Sequence, residues 1–247
     1  METENLPVVL LHGIRVSGTM WGPLAERLRE RHRVVAPDLP GHGRRRGERF
    51  TMDGAVDAVA EAVDGLGGRA LVAGLSLGGF VGIAAAARHP GRVAGLVAMG
   101  CTTRPEGFGR AVYRTAGRLA GRWPAYADAA GALAFRRALP GPAAGAVLAG
   151  GLSSAAFPQA VEAVCAFDPV AALAAYPGPV WLANGTRDPF RSHERAFLRA
   201  CRDGRLVLWP GRGHLGALHD PALPARLVLD AAALARDARA RDADVRA

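Results

Sequence analysis

The sequence contains no lysine; all 31 of its basic residues are arginine. That absence excludes chemistry needing an ε-amino group, including a Walker A phosphate loop, a Schiff base to pyridoxal phosphate and a kinase-type ATP site. Cysteine is scarce, with three in 247 residues at positions 101, 165 and 201. None sits in a CxxC or CxxH pair, which argues against a disulfide framework or a structural zinc site. No metal or cofactor is expected. Aromatic residues make up only 6% and charged residues 21%, while half the chain is hydrophobic. This balance belongs to a globular chain with a full core, not a disordered one. Met1-Glu2-Thr3-Glu4-Asn5 lacks the positive start and apolar run of a secretory leader, so a cytoplasmic location is expected.

With 22 acidic residues the formal charge is 31 − 22 = +9. A nucleic-acid footprint should form a patch or stripe, but these arginines are scattered and Arg44-Arg45-Arg46 is the only dense run. No nucleic-acid partner is expected. Residues 70–87 are 18 residues without a charge, the lower limit for a membrane span. Their middle holds Ser76 and four glycines, so they read as a buried strand, turn and helix, and no membrane partner is expected.

Short apolar runs at 8–11, 34–36, 70–73, 93–99, 180–183 and 206–209 read as strands. Helical spacing follows at about 21–31, 52–66, 79–89, 190–202 and 221–236, and the charged run 236–242 is expected to fray. Between 101 and 167 there is no strand pattern; three helical patterns are punctuated by proline. Alternating strands and helices imply an α/β fold, a parallel sheet covered on both faces. The organisation expected is a core of residues 1–100 and 168–247 carrying a helical cap at 101–167. Ligands in such sheets bind at the carboxyl ends of strands.

One strand-end loop carries a chemical motif. Gly74-Leu75-Ser76-Leu77-Gly78 is a G-x-S-x-G turn between a strand and a helix. The sharp turn exposes the Ser76 hydroxyl and leaves no room for side chains at positions 74 and 78. A serine hydroxyl needs a base to become a nucleophile. His12 and His42 lie in earlier loops, His32 and His89 near helix ends, and His193 at a helix start. His214, in the glycine-rich loop after the last strand, is the candidate base, with His219 as the alternative. The base needs a carboxylate to fix its tautomer. Asp188, in the loop after the 180–183 strand, is the candidate, with Asp168 as the alternative. Oxyanion donors are expected from the backbone N–H of Leu77 and, in the loop after the first strand, of Ile14.

The ordered set Leu11-His12-Gly13, Trp21, Asp38-Leu39-Pro40-Gly41-His42-Gly43, Gly74-Leu75-Ser76-Leu77-Gly78-Gly79, Arg88-His89-Pro90, Gly185-Thr186-Arg187-Asp188 and Gly213-His214 resembles the α/β-hydrolase superfamily. It is most similar to the small capped serine esterases and enol-lactonases. The resemblance implies an α/β-hydrolase fold with a mainly parallel central sheet flanked by helices. It also implies a helical cap inserted after the strand that follows the nucleophile helix, and a Ser76–His214–Asp188 triad. Arg44-Arg45-Arg46 stand where the family often has a small serine, and the HGGG-type oxyanion loop of one branch is absent. Epoxide hydrolases and dehalogenases of this fold use an aspartate nucleophile, and Ser76 stands in that place.

The function implied is hydrolysis of an ester, lactone or thioester of a small-molecule acyl substrate, without a cofactor. Two alternatives stay open. One is a lyase, acyltransferase or C–C bond hydrolase on the same triad; the other is a ligand-binding pseudoenzyme. Tyr113, Trp123, Tyr126 and Phe157, with Phe108 and Phe135, are candidates for an apolar pocket in the cap, or for packing the cap onto the core. Arg110, Arg114, Arg118 and Arg122, four residues apart, are either a solvated helix face or a site for a substrate carboxylate or carrier phosphate. Cys101 is read as a buried, inert thiol.

Overall fold

The structure is a computed structural model; it describes residues 5–244, with side-chain surroundings omitted for Phe108 and 238–244. The Phe108 pocket assignment and the leader reading at Met1–Glu4 fall outside that description. The strands are β1 (Val8–Leu11), β2 (Val34–Val35), β3 (Ala70–Leu75), β4 (Val93–Met99), β5 (Pro179–Gly185) and β6 (Asp203–Trp209). They form one six-stranded sheet in the order β2-β1-β3-β4-β5-β6, parallel throughout. The registers Leu11↔Gly74, Leu75↔Met99 and Gly185↔Trp209 bring the strand ends to a common edge.

Helices α1 (Gly22–Arg29), α2 (Met52–Asp64) and α3 (Leu77–Arg88) join the first four strands. Between β4 and β5 run α4 (Gly107–Arg122), α5 (Pro124–Ala138), α6 (Gly141–Ala149), α7 (Phe157–Ala166) and α8 (Pro169–Ala175). Helix α9 (Glu194–Ala200) precedes β6, and α10 (Gly216–His219) and α11 (Ala222–Asp244) follow it. Side chains alternate across a strand, so each central strand feeds two cores. Val9, Leu11, Val72, Leu96 and Leu182 pack with Val56, Val59, Val81 and Ile83 of α2 and α3. On the other face, Leu10, Leu71, Ala73, Val97 and Trp181 pack with Leu24 and Leu28 of α1 and Val228 and Ala231 of α11. Burial on both faces is why these strands read as continuous apolar runs.

Three elements differ from the sequence reading. Helix α6 exists although proline punctuates the sequence at its start. Pro142 lies in its first turn, where the missing N–H costs nothing. Strand β6 starts at Asp203 rather than 206, because an edge strand tolerates the Asp203–Arg205 ion pair (2.8 Å) that lies ahead of the apolar run. Helix α11 continues through the charged run to Asp244 instead of fraying at 236, as alanine and arginine favour. The uncharged stretch 70–87 is divided between β3 and α3. No single helix among the described residues is long and apolar enough to cross a membrane.

Helix α3 begins against the end of β1. A Cβ at Gly78 would overlap the Leu11 carbonyl and lie 2.7 Å from the His12 carbonyl oxygen. Both obstacles are backbone, so neither can swing aside. Gly78→Ala should therefore cost about 1–3 kcal/mol through overpacking. The expected readout is a lower urea midpoint with an unchanged slope; an unchanged midpoint would show that α3 can shift freely.

Candidate active site

Ser76 occupies the single position between β3 and α3. Its backbone has φ 56° and ψ −115°, and only Arg15 shares a positive φ among the described non-glycine residues. Holding such a conformation costs about 1–3 kcal/mol and requires a rigid surround. The surround is visible: Ser76 N–H donates to the Met99 carbonyl at 2.8 Å, and the Ser76 carbonyl accepts from Gly79 N–H at 2.9 Å. A Cβ at Gly74 would overlap the Gly78 carbonyl. The Ser76 side chain makes no capping bond to the helix it precedes. It lines a cavity instead.

Asp188 and His214 come from the ends of β5 and β6. His214 Nδ1–H donates to the Asp188 carboxylate at 3.0 and 3.1 Å. Asp188 is only 4% exposed, and its Oδ1 also accepts from Phe190 N–H at 2.8 Å. Their two loops are tied together. Thr186 N–H donates to the Trp209 carbonyl (3.0 Å), Arg187 N–H to the Arg212 carbonyl (2.9 Å) and Gly211 N–H to Thr186 Oγ1 (2.8 Å). A second brace lies behind. Asn184 Nδ2 donates to Thr102 Oγ1 and Glu194 Oε1 at 2.8 Å each, and Arg191 bonds both Glu194 oxygens and the Thr186 carbonyl. The alternatives lie elsewhere. Asp168 is exposed and caps α8 through Val170 and Ala171 N–H, and His219 is exposed at the end of α10.

Gly100 joins the two halves, and the sequence reading missed it. It follows Met99, the partner of Leu75, and its N–H donates to the Ala183 carbonyl at 2.9 Å. Its φ is +58°, and a Cβ there would stand 3.1 Å from both Asp188 Oδ2 and the His214 ring. Glycine directly after an apolar strand was the available signal.

The loop after β1 holds the expected oxyanion donor Ile14, and Leu77 is the first residue of α3, where N–H groups have no acceptor within the helix. His12 shapes this loop. It is fully buried; Nδ1–H donates to the Gly13 carbonyl at 2.8 Å while bare Nε2 accepts from Leu39 N–H at 2.9 Å. A second proton would set Nε2–H against Leu39 N–H. Burial, then the nearby His42, push the His12 pKa down to about 3. Asp38 ties the same region. Burial opposes its charge, but Arg44 N–H (2.9 Å) and Gly18 N–H (2.8 Å) outweigh it and hold the carboxyl below its usual range. The arginine run that departs from the family pattern is thus absorbed locally. Arg44 N–H serves Asp38, Arg45 pairs with Glu48, and Arg46 Nη2 donates to the Gly150 carbonyl at 2.9 Å.

The cavity at Ser76 has a volume of about 580 Å³. Its walls are mostly apolar, with Phe80, Val112, Tyr113, Ala116, Val164 and Phe190. Thr103, Arg104, Glu106 and Ser192 make a polar end, where Arg104 is already paired with Glu106 at 3.0 Å. Of the aromatic candidates among the described residues only Tyr113 lines it, and Phe135 packs against the core. Phe157 stands behind Tyr113, edge-on at 6.1 Å. Trp123 and Tyr126 are 57% and 80% exposed on the outer side of α4 and α5. Helical spacing gave them a face but not the direction that face takes. The arginine row also divides: Arg114 pairs with Glu162 at 2.7 Å and Arg110 donates to the Pro105 carbonyl at 2.9 Å, while Arg118 and Arg122 are exposed. Cys101 is fully buried, and burial pushes its thiol pKa far up. Two larger clefts, of about 1080 and 840 Å³, lie on other surfaces and do not reach Ser76. Among the described residues no group of three or more His, Cys, Asp or Glu could hold a metal ion.

A parallel sheet with a strained serine at its central strand-to-helix turn defines an α/β protein whose chemistry lies at the strand ends. The chain belongs to the alpha/beta hydrolase family, whose model matches residues 8–227. A pimeloyl-[acyl-carrier protein] methyl ester esterase of Aromatoleum aromaticum is 40% identical over 103 residues, 40% of either chain. Lipase LipV of Mycobacterium tuberculosis is 41% identical over 92 residues, 36% of this chain and 35% of that one. The match therefore spans about two fifths of these relatives' length. The enol-lactonase of Burkholderia xenovorans LB400 shares the fold with a TM-score of 0.76 at 22% identity, covering 93% of this chain and 92% of that one.

His12 predicts a pH dependence. The unfolded chain takes up this proton near 6.5 and the folded chain near 3, so between those values the unfolded state binds more protons. Stability is unaffected by His12 above pH 6.5 and falls as pH drops toward 3, by about 1.4 kcal/mol per pH unit from this group. Urea midpoints from about pH 7 to about pH 4 should fall more steeply for wild type than for His12→Gln. Equal slopes would show that His12 is not held neutral.

Proposed function

We propose that this protein is a serine hydrolase that cleaves an ester, thioester or lactone of a small apolar acyl substrate, with Ser76 as nucleophile, His214 as base and Asp188 as its orienting carboxylate. The observation that carries this reading is the hydrogen bond from His214 Nδ1 to a buried carboxylate at the sheet edge that also holds Ser76. That bond leaves Nε2 as the proton-accepting nitrogen.

In the proposed reaction Ser76 Oγ attacks the acyl carbon and its proton passes to His214 Nε2. The carbonyl oxygen becomes an oxyanion held by the N–H groups of Ile14 and Leu77, with the α3 N-terminus adding its field. Collapse breaks the bond to the leaving oxygen or sulfur, which takes the proton from His214. Water then attacks the acyl-enzyme, giving its proton to His214, and the acid leaves as Ser76 recovers its hydrogen. Residues 101–167 act as a cap over the core formed by 1–100 and 168–247. The acyl chain lies against Phe80, Val112, Tyr113, Val164 and Phe190. A free carboxylate on that chain finds Arg104 already engaged, so neutral acyl groups are preferred. The curated relatives, an esterase and a lipase by name, favour ester cleavage over lyase or acyl-transfer chemistry on the same residues.

A fluorophosphonate should form one adduct on wild type and none on Ser76→Ala, read by intact mass. Ester turnover should fall by about 10⁴ in Asp188→Asn, whose side chain would select the wrong His214 tautomer. A wild-type protein that labels but turns over no ester, lactone or thioester would move the assignment to a non-hydrolytic reaction. The apolar wall makes a separate prediction: Ala116→Phe should lower kcat/KM for medium-chain esters at least about tenfold while leaving acetate esters within about threefold. Equal losses for both would place the acyl chain elsewhere.

A further inference from the structure

Arg15 is the residue after Ile14, and among the described residues it is one of two non-glycine residues with a positive φ, 69°. A left-handed backbone is not one that arginine chooses, so something outside the loop must hold it. The anchors belong to the helical segment between β4 and β5. Arg15 Nε donates to Ser154 Oγ at 2.8 Å and Nη2 donates to the Ala127 carbonyl at 2.6 Å. Ser153 N–H donates back to the Arg15 carbonyl at 2.8 Å. The acceptor is itself fixed, because Ser154 N–H bonds Asp128 Oδ1 at 3.0 Å. A Cβ at Gly131 would run into Nη2, so α5 carries a glycine where the guanidinium passes. The guanidinium also lies 5.8 Å from the Phe157 ring centre, and Phe157 backs Tyr113 on the cavity wall.

We propose that Arg15 is a positioning residue that clamps the loop after β1 to residues 127–154 and so sets the Ile14 N–H for the oxyanion. The inference rests on the hydrolase reading given above. One side chain bonds two points of the helical segment, and its own carbonyl is bonded by a third. Removing that side chain leaves the backbone just after Ile14 tied to the helical segment by the Ser153 N–H bond alone, and misplacement of about 1 Å can cost about 10² in rate. A lysine could not replace it, since a single ammonium lacks the rigid fork that reaches both acceptors. The clamp also couples the sites: displacing α5 pulls on the oxyanion loop, so cap and catalytic machinery act as one unit.

Three variants test this: Arg15→Met, Arg15→Gly and Ser154→Ala, assayed on a short acetate ester and by fluorophosphonate labelling. Arg15→Met should lower kcat about 10- to 100-fold with KM within about threefold, and slow phosphonylation by the same factor. Arg15→Gly relieves the positive φ but should lose as much, because the anchors and not the backbone are what matter. Ser154→Ala, which deletes one bond, should lose about threefold to tenfold and guards against the arginine variants failing to fold. Hydrogen exchange, which needs no activity, should show the amides of 12–16 and 125–129 losing protection together in both arginine variants. Wild-type kcat in Arg15→Gly, a rise in KM at unchanged kcat, or exchange confined to one segment would each overturn the clamp. Wild type that neither labels nor turns over ester would defeat the hydrolase reading instead, while the exchange result would still decide whether the clamp exists.

Discussion

The approach of α3 to the end of β1 is closer than a side chain at position 78 would permit, and the site is built on that contact. With Gly78 against the Leu11 and His12 carbonyls and Gly74 against Gly78, the start of the helix is pressed to the sheet edge. Ser76 is then forced into its strained conformation, because it has one residue in which to turn the chain from strand to helix. The same contact brings the loop of residues 12–16 alongside the N-terminus of α3. Parallel register does the rest: β4, β5 and β6 end level with β3, the loops after β4 and β5 line the cavity at Ser76, and His214 packs against Phe190 beside it.

Those loops are held by a chemistry that a lysine-free chain is well placed to use. Guanidinium groups bond backbone carbonyls across long sequence separations: Arg15 to Ala127, Arg33 to Leu66, and Arg46 to Gly150. A planar group with five donors can satisfy a carbonyl and still meet a second partner, as Arg191 does between Thr186 and Glu194. Buried neutral histidine plays the complementary part, since His12 offers one donor and one acceptor to a loop that needs both. In a sequence with few aromatic residues, much of the loop order is therefore polar and directional.

How far the sequence could be read follows from the range of the forces involved. Strands buried on both faces declare themselves as apolar runs, and a turn between strand and helix shows its glycines at fixed offsets; both signals are local. That Asp188 and His214 would meet was legible because strand-end loops in a parallel sheet share an edge. What stayed hidden depends on contacts distant in sequence. Tyr113 and Tyr126 look alike in the chain, yet one lines the cavity and the other faces outward, because the packing of α4 on α7 and α5 decides it. The run Arg44-Arg45-Arg46 looked like surplus charge until Asp38, Glu48 and Gly150 came into place around it. Arg15 carried no sequence signal, since its partners lie more than 100 positions away.

The sheet also has two borders. On one side β2 is only two residues long. On the other, β6 opens with Asp203 and Arg205 joined as an ion pair, and the Arg205 guanidinium lies 5.1 Å from the Trp181 ring centre. A stub and a charged rim are poor templates for a further strand. Neither border invites the sheet to grow by recruiting a neighbour's backbone, so crowding should bring these molecules together through their helical surfaces and not through amyloid-like stacking.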